Sequence, residues 1–541
     1  MPGPRDHDRQ PDDRDHHSER GRQRVAWRQW IALIVRQPWI VAITVVLALV
    51  IAYWGWAPEG WPLKGQCGGG PNIWRTPAPH RECIGISDGS DPFNEPDNKN
   101  PAQKAIIEKI NSVQRKISAE NKEVAKSSRY VKVVLLMPLT VSEKKDSAIP
   151  LSQIEHSLEG AYTALRRING STVFGDPGAV KLQLLLANQG SRQEISDRFV
   201  KKVLEVSDPS HPLVGVVGLG SSLANTDHLA DKLGTGQIRI PMVGAITSSD
   251  SLTGRQNFWS VSPSNTQYAQ ALRYFLTHQG KNPLRSGLIV SDTNNDPYTR
   301  TLSQAFKSRL RPYLKFPELT YTGGTTDARA TPKIFAPVVT NLCNAVNAPK
   351  TPLDMVLYAG RVADFEAFAK ALENRICKDH PLAVLVGATG FADAQRYEGI
   401  LRNGNTTVIF ASSSDPVRWG QNGPGTPPDF GAFADAFVRY GFESADLADG
   451  LAISHHDALS TVAMATRLAA QGEDTPQPED VASQFSQLVL AYRVPAASGR
   501  LEFQNSARGR AVSRVIPLRQ IGTSTGFVLP KDLKPYEVTP Q

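Results

Sequence analysis

Several groupings of residues have types and spacings that could do chemistry. Gly85-Ile-Ser-Asp-Gly89 has the GxSxG spacing of a hydrolase nucleophile, which needs a serine raised on a tight turn between a core strand and a helix. It lies instead in a stretch crowded with Gly68-Gly-Gly-Pro71 and Pro77-Ala-Pro79, so no nucleophile elbow is expected there. Gly215-Val-Val-Gly-Leu-Gly220 has part of a dinucleotide-binding loop, but the glycine needed before the helix is missing and Ser221 and Ser222 follow. A tight strand-to-helix turn accounts for it. His455, His456 and Asp457 are consecutive, splay around a helix and cannot chelate one ion together, so a capping or hinge role is expected. No nucleophile, base and orienting residue can be placed together, so neither an enzyme nor a cofactor or metal site is expected.

The four cysteines show no CxxC zinc spacing. Cys67 with Cys83 and Cys343 with Cys377 fit two local disulfides if these segments face an oxidising space; free buried thiols are the alternative for the second pair. The formal charge of +8 is spread along the chain, and eight arginines fall within the first 36 residues. The charge therefore reads as a topology signal, and no nucleic-acid partner is expected.

From Gln37 to Pro58 no residue is charged, and 38–57 is an almost wholly apolar run of 20 residues. At helical rise that spans about 30 Å, the thickness of a bilayer's hydrocarbon layer. Trp39 opens the run and Tyr53, Trp54 and Trp56 close it, as headgroup-level aromatics do. Five arginines and no acid lie between Arg20 and Arg36, which keeps the N-terminus in the cytoplasm. The expectation is a single-pass protein of the cell membrane. Residues 1–37 form a disordered basic cytoplasmic tail, 38–57 an uncleaved signal anchor, and the rest is extracytoplasmic. A cleaved signal peptide would need small residues where the aromatics stand, and a lipidated cysteine would need a small-residue box before Cys67.

Beyond the membrane run, 58–128 reads as an extracytoplasmic stalk stapled by Cys67 and Cys83. Ile106, Ile110, Val113 and Ile117 then give an amphipathic helix of about four turns that packs on the following domain. From Tyr130 the rhythm changes to short β-rich runs, each followed by a helical stretch: 131–139, 181–187, 213–219, 240–246, 286–292, 354–360, 382–388 and 408–413. Runs such as Val133-Val-Leu-Leu-Met137 lack alternation, as expected of strands covered on both faces. This length of α/β chain exceeds one core, so the fold class is α/β with two doubly wound parallel sheets and a ligand cleft between them.

The order of these segments resembles the type I periplasmic binding proteins, in particular the leucine/isoleucine/valine-binding branch and its receptor relatives. The likeness covers 129–525. Val131-Lys-Val-Val-Leu-Leu-Met-Pro-Leu-Thr140 is similar to the family's opening strand, and 154–169 with Ile168-Asn-Gly170 to the helix after it. His211-Pro-Leu-Val-Gly-Val-Val-Gly-Leu-Gly-Ser-Ser222 resembles the third strand and its serine loop, and Ile240-Pro-Met-Val-Gly-Ala-Ile-Thr-Ser-Ser249 the fourth with its Ala-x-Thr turn. Phe258 to Ser264 looks like the first crossing between lobes, and Ser291-Asp-Thr-Asn-Asn-Asp-Pro-Tyr298 like the second lobe's first strand and loop. Asp449 to Ala458, Gly499-Arg-Leu-Glu-Phe503 and 512–521 resemble the closing helix and strands.

The resemblance implies a two-lobed type I periplasmic-binding-protein-like fold behind one transmembrane helix. Lobe 1 is 129–264 with 412–485, lobe 2 is 265–411 with 486–528, and 529–541 is a tail. It implies that Ser221, Ser222, Ala245 and Thr247 hold a ligand carboxylate, since hydroxyls and N–H groups at strand ends donate to anions without a buried countercharge. Tyr298 matches the second-lobe tyrosine; each of these hydroxyl residues has a simpler reading as a helix cap or packed aromatic. Where the family carries an acid for the ligand ammonium this chain has Thr389, and after its sixth strand it has Arg361, which would favour a ligand with an added acidic group. The implied function is capture of an amino acid of the branched-chain type, or a related small polar or anionic metabolite, for uptake through an ABC permease or for a membrane signalling partner. A ligand-free scaffold of the same fold, acting through protein contacts, is the alternative.

Overall fold

Each of the eight β-rich runs contains a strand, because Val, Ile and Leu in short blocks bounded by turn residues pack best on a pleated surface. The computed structural model describes residues 67, 70–76, 81–95, 100–142, 147–235, 239–280, 283–324, 335–388, 390–470, 474–522, 527–530 and 532–539. All lie in one compact unit, Pro62–Gln541. The apolar run 38–57 and the basic tail lie outside the described residues; among those described, no helix is long and apolar enough to cross a membrane.

Helices α1 (Pro101–Val124), α2 (Leu151–Gly170), α3 (Asn265–Thr277), α4 (Pro297–Arg309), α5 (Val362–Glu373) and α6 (Leu451–Ala469) frame the sheets. The first sheet comprises β1 (Ile73–Arg75), β2 (Cys83–Ser87), β3 (Tyr130–Met137), β4 (Lys181–Asn188), β5 (Leu213–Gly218), β6 (Met242–Gly244) and β7 (Phe258–Ser260), in the order β1-β2-β4-β3-β5-β6-β7. β3 to β7 run parallel. Along β3, Val133, Leu135 and Met137 enter one core with Ile154 and Leu158 of α2 and Leu459 and Val462 of α6. Val134 and Leu136 enter another with Phe199, Val203, Leu229 and Leu233 on the opposite face. That double coverage explains the missing alternation.

The second sheet holds β8 (Gly287–Asp292), β9 (Leu319–Tyr321), β10 (Met355–Ala359), β11 (Leu382–Gly387) and β12 (Thr406–Ala411), all parallel. A third, antiparallel sheet is β13 (Val494–Ala496), β14 (Gly499–Glu502), β15 (Val512–Ile516) and the last strand, β17 (Tyr536–Val538). Between these last two, β16 (Leu518–Ile521) returns antiparallel to β12 as the edge of the second sheet. The Cys343–Cys377 disulfide, S–S 2.13 Å, joins the helix Phe335–Val346 to the turn after α5.

Three boundaries differ from the sequence reading. The described part of 58–128 is not a stalk: β2 pairs antiparallel with β4, and Cys67 is bonded to Cys83 within it. Beyond that pairing, the side-chain amides of Asn121 and Asn169 take over the edge of β4, each accepting from the N–H and donating to the carbonyl of one residue, Leu184 and Leu182 respectively. The edge is thereby closed. The strand was hidden because Gly85 takes φ +134, where an added Cβ would lie 2.1 Å from the carbonyl oxygen of Asn72. Ser87, the serine of the GxSxG spacing, accepts from the N–H groups of Gly89 and Asp91 and so caps a turn. Within 486–528, Leu488, Val494, Leu501 and Phe503 join the first lobe's core, whereas Val512, Ile516, Leu518 and Ile521 join the second. The tail 529–541 contains β17, which pairs with β15.

Three chain crossings link the lobes, after β7, after β12 and along β14 to β16. One fully buried guanidinium ties all three. Arg514 on β15 donates to the carbonyl of Val261 just after β7 and, at 2.7 Å, to that of Ser413 just after β12. Arg510 beside it donates to the carbonyls of Thr247 (2.6 Å) and Ser249 and to the Thr253 hydroxyl (2.9 Å). Burial pulls both guanidinium groups below their ordinary range, Arg510 to about 10.

α2 and α6 touch backbone to backbone at Gly160, where an added Cβ would stand 2.0 Å from the carbonyl oxygen of Ala452. Gly160→Ala must push the helices apart and is expected to destabilise by about 1–3 kcal/mol as an overpacked contact. Urea unfolding checks this; an unchanged midpoint would contradict so close an approach.

Candidate functional site

The first lobe's wall is built where β5 and β6 end. Gly218, Leu219 and Gly220 all take positive φ (93, 62 and 63) and turn the chain sharply into the loop of Ser221 and Ser222. Gln193 fixes that loop: its side-chain oxygen accepts from Ser221 N (2.7 Å) and its amide donates to the Ser221 carbonyl (3.0 Å). After β6, Ile246 and Ser248 face the cleft. Ala245 and Thr247, expected to touch ligand, are fully buried behind it, with the Thr247 hydroxyl 3.4 Å from that of Ser260. The turn after the short strand β6 sets this phase, placing every second residue inward.

The second lobe contributes Asp296, Tyr298 and Arg361. Asp296 caps α4 by accepting from Tyr298 N and Thr299 N, as Asp before an N1 proline is suited to do. Arg361, at the N-terminus of α5, holds Asp296 with two hydrogen bonds, Nε to Oδ2 at 2.5 Å and Nη2 to Oδ1 at 2.9 Å. The same Nη2 crosses the cleft to donate to the carbonyl of Ser222 at 2.8 Å. Burial alone would lower the guanidinium's pKa, but the Asp296 charge and hydrogen bonds outweigh it and hold it above its ordinary value. The guanidinium carbon lies 5.2 Å from the centre of the Tyr298 ring. Tyr298 donates to the carbonyl of Gly387 at 3.1 Å, and burial raises its phenol.

Ser221, Ser222, Tyr298 and Arg361 therefore meet in one cleft with Gln153, Ser248, Ala388 and Leu451. Thr389 lies outside the described residues. The cleft encloses about 70 Å³, space for a few waters and below the several hundred Å³ of ordinary ligand sites. Gln153, whose amide stands 3.5 Å from the carbonyl of Gly390, and Leu451 close one side. A larger opening of about 650 Å³ adjoins Gln395, Asp415, Arg418, Asp449 and Arg519, between residues of both lobes.

No family model and no curated protein matches the sequence. Solved structures do. An ABC transporter substrate-binding protein from Aeropyrum pernix superposes with a TM-score of 0.56 at 14% identity, over 76% of this chain and 97% of that one. A leucine-binding protein from Thermotoga maritima gives 0.51 at 15%, over 73% and 96%. A solute-binding protein from Rhodopseudomonas palustris, in complex with 3,4-dihydroxybenzoic acid, gives 0.52 at 14%, over 76% and 98%. The fold is that of the type I periplasmic binding proteins.

Within this type I fold, sequence reasoning reached both serines, the tyrosine and the arginine but missed four residues that shape the cleft. Asp296 had a legible signal in Asn295-Asp-Pro-Tyr298, the pattern of a helix start. Ser248 needed the phase after β6. Gln193 and Gln153 had none, since their partners at Ser221 and Gly390 are 28 and 237 residues away.

Proposed function

We propose that this chain is a membrane-anchored extracytoplasmic solute-binding protein that closes its two lobes on a small carboxylate-bearing metabolite, for uptake through an ABC permease or for sensing. The anchor rests on the apolar run 38–57 and its arginine-rich flank. The two disulfides suit an oxidising space. The observation that carries the reading is the guanidinium of Arg361, which reaches from one lobe to the Ser222 carbonyl of the other between serine hydroxyls. A ligand carboxylate entering an opened cleft would take the place of that carbonyl and gain a charged donor. The family's ammonium partner is replaced by Thr389, so acids without an ammonium are favoured over ordinary amino acids. The neighbour solved with 3,4-dihydroxybenzoic acid is consistent with that class.

Thermal melting of the full-length chain against small carboxylic acids and amino acids tests this. A true ligand at about a hundredfold excess over Kd adds about 2.7 kcal/mol of stability. Ser221→Ala removes one hydroxyl from the wall and should weaken binding by about two- to tenfold, the worth of one hydrogen bond. A second reading, a ligand-free scaffold, is favoured by the small closed volume and the latch already satisfied by protein groups. A panel in which no compound moves the melting temperature would leave that reading standing.

A further inference from the structure

Away from the cleft's lining, three carboxylates converge beside the contact of α2 and α6. Glu155 and Glu159 lie one turn apart on the same face of α2, and Asp446 descends on them from the 3-10 turn Ser444–Leu447. One oxygen from each lies within 4.8 Å of the others. Acids on a surface often gather so without purpose. Here, however, Glu159 is 4% exposed and its carboxylate has no hydrogen-bond or ion-pair partner among the described residues. Its Oε2 is buried and unsatisfied, and so is Oδ2 of Asp446. An orphaned buried carboxylate facing two others costs several kcal/mol unless something positive or a proton sits among them.

The nearby cations are already paired. Lys109 pairs with Glu155 at 3.1 Å and Glu443 at 3.6 Å and is half exposed, so it holds the outer side. His156 has both ring nitrogens engaged, Nδ1 2.7 Å from Asp449 and Nε2 3.4 Å from the Asp446 oxygen Oδ1. It thereby steadies Asp446 while Oδ2 stays free.

We propose that Glu155, Glu159 and Asp446 bind one hard divalent cation, of the Ca²⁺ or Mn²⁺ class. All three ligands offer oxygen, no Cys takes part, and a site closed by carboxylates from one helix and one turn suits an ion that tolerates irregular geometry. Bound there, the ion clips the turn before α6 to α2. These helices carry Leu451 and Gln153 of the cleft wall, so the clip stiffens the first lobe beside the solute site.

The test uses full-length protein stripped with EDTA and dialysed against Mn²⁺, Ca²⁺ or Mg²⁺, with bound ion counted and melting recorded. One ion per chain is expected, with a Kd no weaker than about 1 mM, and a rise in melting temperature that EDTA reverses. Glu159→Gln and Asp446→Asn should each weaken binding by at least about tenfold, as losing a metal-site group does, while Glu108→Gln at an exposed position of α1 leaves it unchanged. Absence of saturable binding to the wild-type chain by all three ions would overturn the proposal, with a proton as the occupant. Binding that persists at full strength in both site variants would overturn it equally, because the ion would then sit elsewhere. The wild-type stoichiometry stands even if a variant fails to fold.

Discussion

Asp296→Ala costs the folded state about 3–5 kcal/mol, the usual penalty for leaving one partner of a buried ion pair alone. Asp296 is 1% exposed and carries both hydrogen bonds that neutralise Arg361, itself 9% exposed. It also caps α4, which adds about 1 kcal/mol of loss. The informative comparison is the double variant. Arg361→Met on top of Asp296→Ala removes the stranded charge and should restore most of the pair's share, leaving the cap loss and the unpaired Ser222 carbonyl. Urea or guanidinium unfolding of the single and double variants measures the difference. Equal stabilities for the two would mean that the charge is not stranded, and the closed latch would fall with it.

Acid is expected to weaken the protein through two buried histidines. Burial pushes His455 and His456 down to about 4, despite the pull of the Leu451 carbonyl on one and of Asp457 on the other. An exposed histidine titrates near about 6.5. The folded chain keeps both neutral, while the unfolded chain takes up their protons as pH falls below that value. Their contribution is therefore complete above about pH 6.5 and is lost between there and about pH 4, at about 1.4 kcal/mol per pH unit for each. At His456 a neighbouring charge adds to the burial: its Nε2 accepts from Arg167 at 2.6 Å, so a proton there would face a guanidinium. Unfolding midpoints at pH 7.5, 6.5 and 5.5 read the slope. Glu159 and His156, held up at about 8 and about 9, act in the opposite sense, so the comparison with a variant decides: His455→Leu should change the slope by one proton, and a slope identical to wild type would refute the assignment.

Those histidines also show how far the sequence could be read. Their adjacency ruled out joint metal binding, but nothing local told that Asp457 reaches out to the N–H groups of Ala497 and Ser498 at 2.7 and 3.0 Å and so holds the turn between β13 and β14. The parallel strands were legible because buried βα units declare themselves in runs such as 131–139 and 382–388. β1 and β2 were not, since a strand that bends at Gly85 and covers an edge has the composition of a loop. In the cleft, Ser221 and Ser222 could be placed because the run 211–222 resembles the family's third strand and its serine loop. The inward phase of Ala245 and Thr247 could not, since side-chain direction after a three-residue strand depends on how the next turn packs. Arg361 was visible as a charge out of place, but its neutraliser lies 65 positions away.

Because Arg514 grips the peptide on either side of its own crossing, the lobes resemble a door whose three leaves share one pin. Bending a single leaf would tear a charged donor from a buried carbonyl, so the leaves swing together and the halves cannot shear past each other. Any opening of the halves is then expected to follow one angle, a swing and not a slide.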